Sequence, residues 1–390
     1  MQISTDRLEA HTRKLADDIG PRTMGSLEDQ AAIDYIVGQL ESYGCEVGYH
    51  EIICPCWQHR STFLELVSTD ESIPAQGCQF SAACDVAGDV VHTTTPDALN
   101  NAPVAGKICL APVGVLGGNI GLLNIMALAL EARGAAGLIV DRDHRHPDAY
   151  DGKIVREPDL RRMPVACVSK RGAERILASR SPVRLQIDAS FWHGHTHTVV
   201  CPIEGSGPGR ILLAAHHDTG AGSPGAVDDG SSVAILLELA RLFSRERPPC
   251  ELRFLFTGAH ERLGQGSKDY VGDHPDLIGS SSFQLNFDGV GDIGGSPTVK
   301  VWGPERFDGR LETVLQGSPW QIRSVEANRM GADAGAFTMA GLPSVYFQTP
   351  PQEGNLFHTQ LDDMSSLDLN LVAQCAEAAA DVIRSGFWQD

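Results

Sequence analysis

Five short polar segments, each placed where a hydrophobic run ends, constrain this chain more than any other feature. They are Ala214-Ala215-His216-His217-Asp218, Val227-Asp228-Asp229-Gly230, His260-Glu261, Asn286-Phe287-Asp288-Gly289 and Phe357-His358-Thr359. In an open α/β sheet, residues just past the strand ends converge on one rim, and ligands bind there. Histidines and carboxylates gathered on such a rim suit zinc, so a hydrolytic metalloenzyme is the leading reading.

Taken singly the segments say little, because a lone His-x-Asp or His-Glu is more often a structural polar pair. Their order and placement carry the weight. In combination they resemble the zinc aminopeptidases of metallopeptidase family twenty-eight, a family that also holds glutamate carboxypeptidases, glutaminyl cyclases and inactive receptor-like proteins. The resemblance implies zinc-binding roles for His216, Asp228, Glu261, Asp288 and His358, the last within His358-Thr359-Gln360-Leu361-Asp362. One zinc would take His216, Asp228 and Asp288; the other would take Asp228, Glu261 and His358.

These residue types suit that chemistry. A carboxylate with two oxygens, Asp228, can hold two cations about 3.5–4 Å apart, the spacing that clamps attacking water and substrate carbonyl. Imidazole and carboxylate ligands leave positions open for water and substrate. Asp218, two residues after His216, fits the role of fixing that imidazole through its other ring nitrogen.

Position 260 departs from the family. Active members usually carry two consecutive glutamates there, a general base followed by a ligand, whereas this chain reads Gly258-Ala259-His260-Glu261-Arg262. A neutral histidine, with an unperturbed pKa of about 6.5, can take the water proton at neutral pH, although nearby cations lower that value. Two other roles stay open: His260 as a metal ligand or hydrogen-bond donor to the tetrahedral intermediate, and a lapsed enzyme that keeps its metals for structure.

With 390 residues and 42% hydrophobic content, the chain can bury a large core and exceeds the usual size of one domain. Its apolar runs, such as Leu122 to Leu130, are too short to span a bilayer. The N-terminal segment Met1 to Arg7 shows no basic leader with an apolar stretch, so a cytoplasmic location is expected, secretion after removal of a leader remaining open. The net charge of −19 argues against nucleic acid and anionic membrane as partners. Ten cysteines, mostly within apolar runs, read as buried thiols rather than a disulfide framework, and Cys54-Pro55-Cys56 as structural thiols at a strand end.

Along the chain a helix is expected over Leu27 to Tyr43, started by Ser26 with Asp29 and ended by Gly44, then a strand over Glu46 to Ile53. This opening resembles the family, as does the preceding Ile19-Gly20-Pro21-Arg22. Residues from Ser61 to Trp192 differ in character, with strands expected at Ile108-Cys109-Leu110, Leu138-Ile139-Val140 and Met163 to Val168 and a helix-like run before Arg133. They resemble the protease-associated domain inserted in many such peptidases. Further strands are expected at Arg210 to Ala215, Glu251 to Thr257, Phe283 to Phe287 and Ser344 to Phe347, with helices after Ser231 and over Ser366 to Ile383.

The expected fold is therefore α/β: a mixed, mostly parallel sheet flanked by helices in a three-layer sandwich, with a second, inserted β-rich domain. Residues 1–60 and 193–390 would form the peptidase domain in two pieces, and 61–192 the insert. His217 is expected on the far side of its strand, Asp229 as a helix-opening carboxylate, Asp333 in a supporting role, and His193, His195 and His197 as an exposed interdomain linker rather than a tract for adventitious metal.

The function so implied is that of a zinc-dependent exopeptidase, foremost an aminopeptidase. Hydroxide held by two zinc ions would attack the peptide carbonyl, with His260 as proton acceptor and donor and Asp218 in support. A carboxypeptidase or dipeptidase follows closely, since the same cage serves both ends of a peptide. A receptor-like or scaffold protein and a glutaminyl cyclase are the competing classes, disfavoured by the complete ligand set. A peptide or aminoacyl compound is the expected substrate, and homo-oligomerisation is left open.

Overall fold

The apolar runs become strands of two sheets. The computed structural model describes residues 2–92, 94–95, 101–112, 120–142, 144, 146–152, 163–325, 333–350 and 356–388. Its strands are β1 (Gly48–Leu66), β2 (Glu71–Ser72), β3 (Ala75–Gly77), β4 (Cys84–Gly88), β5 (Val90–His92), β6 (Ile108–Pro112), β7 (Gly137–Asp141), β8 (Val165–Val168), β9 (Val183–Ile203), β10 (Arg210–His216), β11 (Glu251–Thr257), β12 (Phe283–Phe287), β13 (Thr298–Trp302), β14 (Gln321–Val325) and β15 (Ser344–Gln348). The larger sheet runs β14-β13-β15-β12-β10-β11-β9-β1-β2, with β4 also paired to β9, and the smaller runs β3-β8-β7-β6-β5.

In the centre of the larger sheet β10 pairs in parallel with β11 on one side and β12 on the other, and β15 continues in parallel beyond β12. The chain therefore crosses β10 between β11 and β12, which makes the C-terminal end of β10 a topological switch point where a crevice opens. Both faces of this region are covered, which is why β10 reads as an unbroken apolar run. Ile211, Leu213 and Ala215 pack into the main core, while Leu212 and Ala214 pack on the opposite face with Leu255, Tyr270 and Phe337. The helix Ser231–Phe243 is apolar nearly all round and is buried apart from Arg241. It is held between the sheet and the helices Thr5–Arg13 and Leu369–Ser385.

The first long helix spans Leu27–Ser42, and the Ser26 hydroxyl accepts from Asp29 N as its cap. Its buried face carries Ala32, Ile33, Ile36 and Leu40. The strand expected to stop at Ile53 instead runs to Leu66, antiparallel to β9 throughout, with a bulge between His59 and Ser61. Pro55 is tolerated because this stretch is a sheet edge; the only other partner of β1 among the described residues is β2, at Glu65 and Leu66. Positions 60/61 and 192/193 consequently lie inside continuous strands, and the chain enters and leaves the region between them along one ribbon.

That region carries a sheet in which β5, β6, β7 and β8 are mutually parallel, with the helices Ile120–Ala132 and Lys170–Ser179. β13, β14 and the helix Glu305–Val314 formed no part of the sequence expectation. All ten cysteines are free thiols, most of them buried. No helix among the described residues is long and apolar enough to cross a membrane.

Candidate metal centre

The strand ends at the switch point deliver the five segments to one place. His216 is the last residue of β10, His260 and Glu261 follow β11, Asp288 follows β12, and His358 lies beyond β15. Asp228 comes from the turn that leads into the helix Ser231–Phe243, across an Asp228–Asp229 peptide that is cis. The turn starts at Gly225, with φ of 62°, where a Cβ would stand 2.4 Å from Thr219 Cγ2 and 2.6 Å from Asp228 O. A side chain at that point would displace Asp228, so glycine is required.

The two oxygens of Asp228 meet two different imidazoles. Oδ1 lies 3.0 Å from His216 Nε2, and Oδ2 lies 3.0 Å from His358 Nε2. His358 Nε2 is also 3.5 Å from Glu261 Oε1. One donor atom from each of Asp228, Glu261 and His358 falls within 4.8 Å of the others, and the same holds for His216, His260 and Asp288. The first group matches one of the expected ligand sets; in the second, His260 stands beside His216 and Asp288, a place the sequence reading had left open.

His216 is oriented differently from the expectation. Its Nδ1 meets the main-chain carbonyl of Asp218 at 2.9 Å, while the Asp218 carboxylate is 3.7 Å away. That carboxylate instead accepts from the amides of His260 at 3.0 Å and Glu261 at 3.1 Å, and so fixes the turn that presents both side chains. With acceptors at both ring nitrogens, the surroundings of His216 favour its doubly protonated form. Burial disfavours that charge, but Asp229, Asp218 and Asp228 outweigh it and hold the ring well above its ordinary pKa. A cation on Nε2 would take the place of one of those protons.

Other buried carboxylates brace this frame. Asp229 accepts from the amides of His216 and Gly289, tying the ends of β10 and β12 together rather than opening a helix. Asp362 accepts from the amides of Val227 and Asp228, locking the turn that carries Asp228 to the loop that carries His358. The sequence reading quoted Asp362 but gave it no role, because an acidic residue near a histidine gives no sign of which amides it will face. His217 does point to the far side: its Nε2 meets the carbonyl of His197 at 2.9 Å and its Nδ1 lies 3.1 Å from Asp29.

His260 stacks on His216, with ring centroids 3.9 Å apart and planes 7° from parallel. Its Nδ1 is 2.9 Å from Asp333, whose other oxygen accepts from the Thr257 hydroxyl. Burial pushes the Asp333 carboxyl up, but His260 overrides it and holds the group ionised. Nδ1 must therefore donate, which leaves Nε2 facing inward, 3.8 Å from Asp288 Oδ2. Gly331 and Ala332, which precede Asp333 in the sequence, lie outside the described residues.

Arg22 underlies the centre without touching it. Fully buried, it donates to the carbonyls of Leu15, Gly20, His217, Pro224 and Gly225. It thus anchors the segment between His216 and Asp228 to the N-terminal helices. Burial lowers its pKa to about 10, with Asp362, Asp218, Asp229 and Asp29 opposing the shift. Arg22→Leu orphans five carbonyls and leaves buried acids without their counter-charge, so a loss on the order of 3–5 kcal/mol is expected in urea unfolding. A loss under 1 kcal/mol would show that the carbonyls find other partners.

The segment 148–152 packs against the loop of His358. Gln360 receives the amide of Tyr150 on its side-chain oxygen and donates its side-chain amide to Asp148 O, and Asp151 forms a bridge with Thr359. Asp151 is itself buried against Arg142 and His144. The region between β1 and β9 is in this way a structural part of the centre's surroundings.

Comparison with known proteins agrees with this frame. Residues 198–383, which hold every expected ligand, match Peptidase family M28. A probable lipoprotein aminopeptidase of Mycobacterium tuberculosis, LpqL, is 26% identical over 382 residues, 88% of this chain and 73% of that protein. Among solved structures, a Peptidase M28 precursor from Shewanella amazonensis superposes with a TM-score of 0.82 at 19% identity, over 99% of this chain and 94% of that one. BSAP, a zinc aminopeptidase from Bacillus subtilis, superposes with a TM-score of 0.77 at 20% identity, over 98% and 95%. The order of the segments, the switch-point crevice and the family match converge on one assignment: residues 198–383, the part of the chain that carries the centre, are those of a family M28 peptidase.

Proposed function

We propose that this peptidase is a zinc-dependent aminopeptidase that works with two zinc ions. The observation that carries the reading is Asp228, each of whose oxygens faces its own histidine. His216, Asp228 and Asp288 would hold one cation, and Asp228, Glu261 and His358 the other. Bound there, the pair would polarise the scissile carbonyl and make water a better nucleophile.

The chain's own groups supply the rest. His260 Nε2, its other nitrogen tied to Asp333, accepts a proton from the attacking water. As the water oxygen bonds to the carbonyl carbon and the C–N bond breaks, the same proton passes to the leaving amine. Asp218 keeps His260 and Glu261 on one turn, so base and ligand move together. The stretch 61–192, read as a protease-associated-like insert, supports the His358 loop through Gln360.

The test is to strip metal, restore zinc, and assay free-amine aminoacyl amides beside their N-acetylated forms and N-acetylated dipeptides with a free C-terminus. Zinc-restored turnover of the free-amine amides, with the acetylated forms refused, is the expected result. Cleavage of N-acetylated dipeptides would make the protein a carboxypeptidase. Zinc uptake without turnover of any substrate would mark a lapsed enzyme.

A further inference from the structure

Where β1 and β9 pair in the larger sheet, three side chains of metal-ligating type share one face of the ribbon. Glu51 lies directly opposite His197, and His195 stands two residues along β9, opposite Ile53. Strand alternation therefore puts both imidazoles on the side of Glu51. The two rings meet edge to face with centroids 5.1 Å apart, and one donor atom from each of Glu51, His195 and His197 lies within 4.8 Å of the others.

The backbone beneath the trio is held. Thr196, between the two histidines, faces the opposite way and donates its hydroxyl to buried Asp29. The carbonyl of His197 meets the His217 ring at 2.9 Å, and Tyr49 packs edge-on against the His197 ring at 5.7 Å. These contacts hold the His197 side chain, while the His193 ring packs against Phe191.

We propose that Glu51, His195 and His197 form a surface site for a zinc-class divalent cation, separate from the buried centre. Two imidazoles and one carboxylate are a borderline donor set that suits Zn2+, Ni2+ or Cu2+ and disfavours the harder Mg2+ and Ca2+. Three protein donors leave a coordination position open to water. Partial burial and the neighbouring His195 lower the pKa of His197, which keeps the ring in its neutral, ligating form at physiological pH. What separates this trio from a solvated histidine tract is the cross-strand register, which adds a carboxylate to the two rings.

Equilibrium dialysis of the full chain against rising Zn2+, with metal counted by elemental analysis, tests the proposal. Wild type should take up a further equivalent after the buried centre has filled. His195→Ala/His197→Ala should lose that equivalent alone, with peptidase turnover and melting temperature unchanged, and Glu51→Gln should weaken it. Cu2+ bound at this site should show imidazole nitrogen couplings in its EPR spectrum, absent from the double variant. Identical zinc uptake by wild type and double variant at every concentration would overturn the site, as would wild type that takes up no metal beyond the buried centre. His216→Ala keeps this outcome distinct from the fate of the dizinc reading, because it weakens the buried centre and leaves the surface equivalent in place.

Discussion

His260→Ala should lower kcat by about 10²–10⁴-fold, the usual contribution of a positioned acid–base group, while the protein keeps its full complement of zinc. Steady-state kinetics on an aminoacyl amide, with metal counted on the same preparation, checks it. The size of the effect follows from the geometry: Nδ1 is committed to Asp333, and Nε2 faces the metal side of the crevice near Asp288. KM should change little, since the ring serves the travelling proton rather than the bound substrate. His260→Glu should recover much of the loss, because a carboxylate on the same turn can do the same proton transfer. A different result is informative as well. His260 groups with His216 and Asp288 at ligand distance, so loss of one zinc equivalent together with activity would make it a ligand and send the proton elsewhere.

That ambiguity shows where sequence reading stops. The parallel core was legible because β10, buried on both faces, reads as one apolar run ending in His216, while β11 closes on Phe254-Leu255-Phe256 and β12 carries Phe283, Leu285 and Phe287 just before the polar residues of the site. The helix Leu27–Ser42 was legible because its cap and apolar face are local features. The long β1–β9 ribbon was not, since Pro55 and the polar run Gln58-His59-Arg60 that follows look like a strand end unless the antiparallel partner is known. Within the centre, the ligand types and their order could be read, but not the second layer. Asp218 serves through its main-chain carbonyl toward His216 and through its carboxylate toward the next turn, a division that only the backbone path decides. Arg22 reaches carbonyls 195 to 203 residues away besides those of Leu15 and Gly20, and Asp362 reaches amides 134 and 135 residues away, so the roles of both depend on chain paths that the sequence does not display.

Asp228→Asn should remove both zinc ions at once, and with them the turnover. Each oxygen of Asp228 faces a different histidine, and an amide keeps the shape of the side chain but has one oxygen and no charge. Each cation therefore loses a ligand or its charge, and both affinities should fall by more than the roughly 10–100-fold typical of losing an outer-shell partner. His358→Ala, by contrast, touches one group only and should cost one equivalent of zinc. Thermal unfolding gives an independent readout. A cation that binds only the folded chain adds about 2.7 kcal/mol at a hundredfold excess over its Kd, so zinc should raise the melting temperature of wild type clearly and that of Asp228→Asn hardly at all. If Asp228→Asn instead keeps one tightly bound zinc and loses the other, Asp228 belongs to a single cation. The second group would then be completed by His216, His260 and Asp288 alone, which the same titration repeated on His260→Ala would reveal.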